Sequence, residues 1–372
     1  MTRPKIVVAP SAFKGTLSPR QAAAAMTRGI RSALPEAEVI EIPVADGGDG
    51  TLDVLLDAIG GEPFSKEVTG PLGDPVEARV GILPDGTAVL EMAEASGLAL
   101  CQEQELDPLA ATTFGTGELI LAALERGASK IWVTLGGSAT IDGGVGMAQA
   151  LGAGLLDVSG EALPRGGGAL GLLGAIYPGS LDRRILDTEF VGLVDVRNPL
   201  LGDEGAAAVY GPQKGATPDQ IQLLEGGLKR FHELAMDWRP EMSPCVPGDG
   251  AAGGLGFGVR FFLSGRLELG AGYVLDAVGF PEQIRDARLV MTGEGKLDHQ
   301  SWSGKVVGEV VERCGMAGVP CWVLAGQVEE FTSAGALKGV ETRSLSRTAE
   351  GPERAGEILE EATRRWLEEA WE

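Results

Sequence analysis

Short apolar runs along this chain end repeatedly in segments rich in glycine that also carry an acid, a hydroxyl or a lysine. They read SAFKGT, ADGGDGT, TTFGTGE, GGSATIDGG, DVRNPL, GPQKGA, GDGAAGGLGFG and TGEGKLDHQS. Glycine supplies 57 of 372 residues, about twice the usual share of ~7%, and shows no collagen period. In open parallel sheets, ligands bind beyond the carboxyl ends of the strands, where glycines admit backbone N–H groups and helix N-termini attract anions. The pattern implies an α/β chain with a binding cleft for something anionic.

Both ends of the chain share one texture. KIVVA reads as a buried strand, and Ser18-Pro19-Arg20-Gln21 supplies a capping serine, an N1 proline and an N3 glutamine to a helix whose apolar face is Ala22, Ala25, Met26, Ile30 and Leu34. VIEIPV follows as a second strand, then a helix from Leu52 to about Ile59. The last third returns to this rhythm, with RLVMTGEG, CWVLAGQ and ETRSLS as strands and a final helix over about 352–371. Between them, KEVTGPLGDPVEARVGILPDGTAVLEMA alternates as antiparallel hairpins do, with PLGD and PDG as turns. A helix near Glu118 to Arg126, the strand KIWVTL, an irregular stretch over 152–185, the strand EFVGLVDV and a loop to Gly215 complete the middle, before a helix capped by Thr217, Pro218 and Gln220. The expected fold is α/β: a discontinuous, doubly wound parallel-sheet domain (residues 1–64 and 270–372) with a second α/β domain of mixed sheet inserted (65–269).

Charge narrows the function classes. Lys+Arg number 31 against 53 Asp+Glu, a formal net charge of -22, and no basic cluster interrupts the acid excess. Such a field repels phosphate backbones and anionic leaflets, so nucleic acid and membrane surfaces are not expected partners. With no signal-peptide pattern and no run of 18 apolar residues, a soluble cytoplasmic protein is the expectation. Cys101, Cys245, Cys314 and Cys321 contain no CxxC pair, and His232 and His299 are the only imidazoles. These counts argue against disulfides, zinc and a histidine-based triad.

Neither GxxxxGK[ST] nor the protein-kinase set HRDxxxxN and DFG occurs, and no GxGxxG follows the first strand. What remains is a set of polar residues at strand ends. Asp46, Asp195, Glu294 and Asp298 each follow an apolar run, where a carboxylate can hold Mg²⁺, accept a proton from a hydroxyl, or simply cap a helix. Gly136, Gly137, Ser138 and Thr140 make a cradle for a phosphate or carboxylate, although a tight packing turn would read the same way. Lys14, Lys214 and Lys296 are cations among glycines; any of them placed in a cleft works against the global field, which favours a bound Mg²⁺.

Taken together, APSAFKGTLS, VADGGDGT, EMAEASGL, TTFGTGELI, GGSATIDGG, DVRNPLLG, GPQKGA, AAGGLGFG and TGEGKLDHQSWSGK resemble the glycerate kinase family, in its bacterial type I class, collinearly over essentially the whole chain. The resemblance implies ATP-dependent phosphorylation of D-glycerate with Mg²⁺, usually to 2-phospho-D-glycerate, and an active site between two α/β domains. It covers Lys14, Asp142, Asp195, Asn198 and Glu294. Where the family commonly has DSFKGS, this chain has Ser11, Ala12 and Thr16; Ile141 stands in place of an asparagine, and Arg197 makes DVNNPL into DVRNPL.

The expected mechanism is in-line phosphoryl transfer driven by position and charge. Asp195 is the first choice of general base and Asp46 its competitor, with Lys14 stabilising the transferring group. Glu294 and Asp298 organise Mg²⁺, and Gly136, Gly137, Ser138, Thr140, Asp142, Asn198, Lys214 and Lys296 bind substrate or phosphate. A kinase or phosphatase for another small sugar acid, or a non-catalytic small-anion sensor, is the alternative. A monomer or homodimer is expected.

Overall fold

A computed structural model describes residues 3–243, 245–302, 304–329, 339–345 and 352–371. Thirteen strands occur among them: β1 (Lys5–Val8), β2 (Glu38–Glu41), β3 (Glu62–Thr69), β4 (Pro75–Ile82), β5 (Ala88–Glu91), β6 (Lys130–Thr134), β7 (Gly154–Asp157), β8 (Leu173–Tyr177), β9 (Glu189–Val194), β10 (Arg266–Leu269), β11 (Leu289–Leu297), β12 (Cys321–Val328) and β13 (Val340–Ser344). The chain divides into two units, one of Met1–Asp46, Asp53–Ile59 and Gly270–Glu372, the other of Gly47–Leu52 and Gly60–Leu269.

In the first unit, five strands form a sheet in the order β13-β12-β11-β1-β2, and every neighbouring pair is parallel. Chain order runs one way from β1 to β2 and the other way from β11 to β13. The carboxyl ends of β1 and β11 are therefore where successive loops part, the position at which open α/β sheets bind ligands. Ile6, Val8, Leu289 and Met291 share one core with helices Pro19–Ala33 and Ala355–Ala370, closed by Trp322 stacked on Trp366 at 4.5 Å between centroids. The run VIEIPV does follow β1: beyond Glu41, Ile42 and Val44 still donate to Val8 O and Pro10 O, and Pro43 falls between them where no donor is needed. Residue 346 of the expected strand ETRSLS lies outside the described residues.

Helix Pro19–Ala33 begins as its sequence signals require, with Ser18 accepting from Gln21 N and Gln21 returning a bond to Ser18 N. Gly29 sits where this helix crosses the last one. A Cβ there would collide with the Glu360 carbonyl oxygen and lie 2.8 Å from Thr363 Cβ, so absence of a side chain permits the close crossing.

The second unit carries a six-stranded sheet in the order β10-β9-β6-β5-β4-β3, parallel from β10 to β5 and antiparallel from β5 to β3. The expected hairpins are present, with Gly70 N bonded to Asp74 O at 2.7 Å and Leu83 N to Thr87 O at 2.8 Å. Two expectations are corrected here. The stretch 152–185 is not wholly irregular, since β7 and β8 pair antiparallel with Leu155 opposite Ile176; dense glycine and leucine around the turns mask the alternation. The loop before Gly215 contains a short helix, Ala206–Tyr210. Helix Pro218–Trp238 has the Thr217/Gln220 capping box and buries Leu224, Leu228 and Phe231, the last packed edge-on against Phe257. All four cysteines are free thiols. Among the described residues no helix is long and apolar enough to cross a membrane.

Gly29→Ala separates two effects. Propensity alone favours alanine by about 1 kcal/mol in a helix interior, whereas overpacking costs about 1–3 kcal/mol. The variant is expected to unfold at lower urea concentration than the wild type; a higher midpoint would show that the two helices separate without cost.

Candidate active site

The loop GGSATIDGG leaves β6 and turns around one buried carboxylate. Asp142 is fully buried and accepts from Thr113 N (2.8 Å), Thr113 Oγ1 (2.9 Å), Gly144 N (3.0 Å) and Gly146 N (3.2 Å). These donors, two from Thr113 and two from the loop itself, occupy its oxygens and tie the loop to Thr113. Burial raises its pKa and these donors act against the rise.

The shaped loop meets Lys214. Lys214 is 2% exposed, and its Nζ donates to Ser138 Oγ at 2.6 Å and to Thr140 O at 2.8 Å. Thr140 contributes its carbonyl rather than its hydroxyl, which is buried with no hydrogen-bond partner among the described residues. Desolvation pushes the Lys214 pKa down to about 7, with Asp142 pulling weakly the other way. Beside it opens a cavity of about 190 Å³ whose walls include Gly136, Gly137, Ser138, Asp195, Tyr210 and Lys214. Five of the residues selected from sequence therefore line one small space.

Asn198 is not among the walls of this cavity. Its Nδ2 donates to Glu204 O (2.8 Å) and its Oδ1 accepts from Tyr210 OH (2.7 Å), which positions Tyr210. Burial and the charge of Asp195 push the Tyr210 pKa up to about 12, which keeps the phenol a donor. Tyr210 escaped the sequence reading because only its lateness in a glycine-flanked loop marks it. Ala252, another wall of the cavity, escaped for a different reason. It holds φ of 50° and is followed by Gly253 and Gly254 at 67° and 91°, a left-handed run that only the AAGG spelling hints at. Gly253 has no alternative, because a Cβ there would strike the Thr140 carbonyl.

Glu91, at the end of β5, is a third residue not selected beforehand. It is 4% exposed, and its Oε1 and Oε2 accept from Leu52 N (2.7 Å) and Gly50 N (3.2 Å), pinning ADGGDGT at the start of helix Thr51–Ile59. Burial, reinforced by Glu94 and Asp49, lifts its pKa to about 7 against those two N–H bonds.

In the first unit, the loop after β1 lies along β11, with Ser11 N bonded to Gly293 O at 2.9 Å. It then forms a tight turn closed by Phe13 and Leu17, and Lys14 stands exposed at its tip. Glu294, on β11, has a buried Oε1 with no partner among the described residues. Burial raises its pKa; Ser301 and Lys305 counteract, while the charges of Asp298 and Asp46 add to the rise. Asp298 is partly a cap, since its Oδ1 accepts from Gln300 N (2.9 Å) and Ser301 N (3.2 Å). Lys296 is exposed, and its ammonium pairs with Glu329 at 2.6 Å. Among the described residues no three His, Cys, Asp or Glu side chains form a metal cluster by themselves. A hard cation here would draw on Glu294, with Asp298 and Asp46 nearby in charge, and complete its oxygen shell from water or substrate.

Two buried groups give opposite pH dependences. Glu91 ionises near 4.5 when unfolded and near 7 when folded, so its contribution to stability is full below about pH 4.5 and is lost as pH rises to 7. Lys214, with a folded pKa below its unfolded 10.5, contributes fully above that value and loses the contribution as pH falls to about 7. Glu91→Gln should therefore gain on the wild type between pH 5 and pH 8, by on the order of 2 kcal/mol at about 1.4 kcal/mol per unit, in denaturant unfolding. A difference independent of pH would remove Glu91 from this account.

Comparison with known proteins joins this geometry to a family. The sequence pattern described as the glycerate kinase family matches residues 6–372. A glycerate kinase of Bacillus subtilis is 45% identical over 338 residues, 91% of this chain and 88% of the relative. A glycerate 2-kinase of Escherichia coli is 46% identical over 303 residues, 81% of this chain and 80% of the relative. A crystal structure of a candidate glycerate kinase 2 from Salmonella typhimurium superposes with a TM-score of 0.85 at 38% identity, covering 98% of this chain and 97% of its own. The chain belongs to the glycerate kinase family.

Proposed function

We propose that this ATP-dependent kinase transfers the γ-phosphoryl group to the 2-hydroxyl of D-glycerate, giving 2-phospho-D-glycerate, with the acceptor held in the cavity of Ser138, Asp195 and Lys214. The observation that carries this reading is the pairing, in one small space, of a buried lysine with a strand-end carboxylate. The lysine answers a substrate carboxylate, and the carboxylate can take a proton from a hydroxyl. At about 190 Å³ the cavity is on the scale of a small organic acid. The name of the Escherichia coli relative, glycerate 2-kinase, supports the position of transfer.

In this mechanism Asp195 accepts the hydroxyl proton as attack begins. Lys14, on its exposed turn, stabilises charge on the transferring group. The Gly136–Gly137 backbone and Ser138 orient the acceptor. The unpartnered buried oxygen of Glu294 fits a divalent cation, and Glu294 with Asp298 and Asp46 would hold Mg²⁺. A cation held by these carboxylates would supply neutralisation of phosphate charge.

Coupled ADP release with D-glycerate and ³¹P NMR of the product test the reading; a 3-phosphoglycerate signal overturns the position of transfer. Turnover only with another sugar acid moves the activity to that substrate, and binding without turnover makes the chain a sensor. Asp195→Asn is expected to lower kcat by about 10²-fold or more, the scale of general-base catalysis, and near-wild-type turnover removes Asp195 from the mechanism. Lys14→Ala is expected to lower kcat and kcat/KM together; an effect confined to the KM for glycerate would recast Lys14 as a carboxylate clamp.

A further inference from the structure

We infer that Lys214 and Ser138 determine acceptor specificity by a proton-linked exchange: the cavity takes up a small carboxylate together with one proton, which converts the Lys214 amine to the ammonium that pairs with it. The inference rests on the reading that this cavity holds the acceptor.

The geometry begins with a lysine that has no counter-charge in contact. Its two bonds go to neutral oxygens, the Ser138 hydroxyl and the Thr140 carbonyl. The titratable groups facing it are Asp142, Asp195 and Tyr210. Asp142 is consumed by Thr113, Gly144 and Gly146. Asp195 lines the same cavity, and Tyr210 presents its ring, with the Nζ 5.8 Å from the centroid. An ammonium buried without an ion pair is disfavoured against the neutral amine, in agreement with its lowered pKa of about 7.

A neutral amine satisfies the same two contacts in another sense. It donates to Thr140 O, and its lone pair accepts the Ser138 hydroxyl proton. When a carboxylate enters, the nitrogen takes one proton from solvent and becomes a three-way donor: to Thr140 O, to Ser138 Oγ and to the ligand. The Ser138 hydroxyl, released from the nitrogen, turns its own proton to the second carboxylate oxygen. One proton is gained, no covalent bond to carbon changes, and both ligand oxygens find donors. A neutral polyol of the same size brings no counter-charge and leaves the lysine an amine, so the cavity discriminates by charge as well as by shape.

Two measurements decide it. Titration calorimetry of D-glycerate at pH 8 in buffers of different ionisation enthalpy should show uptake of close to one proton by the wild type and none by Lys214→Arg, which is permanently charged. In steady state with saturating ATP, kcat/KM for glycerate should fall nearly tenfold per pH unit above about pH 7, and Lys214→Arg should lack that limb. Glycerol should not compete at concentrations where glycerate saturates. Glycerate binding without proton uptake, or an identical pH limb in Lys214→Arg, overturns the inference and leaves the acceptor cavity standing. A folded Lys214→Met with the wild-type KM for glycerate overturns the cavity reading itself.

Discussion

Asp142 is the constraint on which the candidate site depends. Its carboxylate, without access to water, gathers four donors from two segments, Thr113 ahead of one helix and Gly144 and Gly146 at the start of another. A buried charge is tolerable only when so satisfied, and the satisfaction fixes the backbone of the intervening loop. Thr140 O and Ser138 Oγ then accept from Lys214 Nζ, which fixes the lysine in the cavity wall. The same loop is also tied by backbone bonds from Ala139 N to Ser96 O (2.9 Å) and from Gly143 N to Gly253 O (3.1 Å).

The same economy recurs in both sheets. Polar residues stand just past apolar strands: Asp195 after β9, Glu91 at the end of β5, Glu294 on β11, and Ser11 and Lys14 in the loop after β1. Parallel strands bury their runs on both faces and bring backbone N–H groups and loops to one edge. In a chain of net charge -22, an anionic ligand gains from cations placed at short range. Lys214 is one such cation, and its burial lowers its pKa to about 7.

Residue types at the strand ends were legible, but what each carboxylate or amide does there was not. Asp298 stands out as a strand-end acid, and Asp142 and Asn198 through the family resemblance; the structure adds that each places an oxygen on nearby protein donors. Lys296 stands among glycines, and its pairing with Glu329, just past the end of β12, is visible only in the structure. Conversely, Tyr210 and Ala252 reach the cavity from segments with no acid or cation of their own, and Glu91 sits inside a motif, EMAEASGL, whose chemistry is visible only once Gly50 and Leu52 are found against it.

Local signals were sufficient wherever the deciding interaction is local. The capping boxes at Ser18 and Thr217, the hairpin turns at PLGD and PDG, and the apolar runs of β1, β6, β9, β11 and β12 depend on neighbours a few residues apart, and the sequence determined them. Strand order, the left-handed run at Ala252, the burial of Lys214 and the lodging of Glu91 against a loop some 40 residues away were decided only in the tertiary structure. Hydrogen bonds and desolvation act through space, and a carboxylate becomes scaffold, base or metal ligand according to which donors the fold brings within about 3 Å of it.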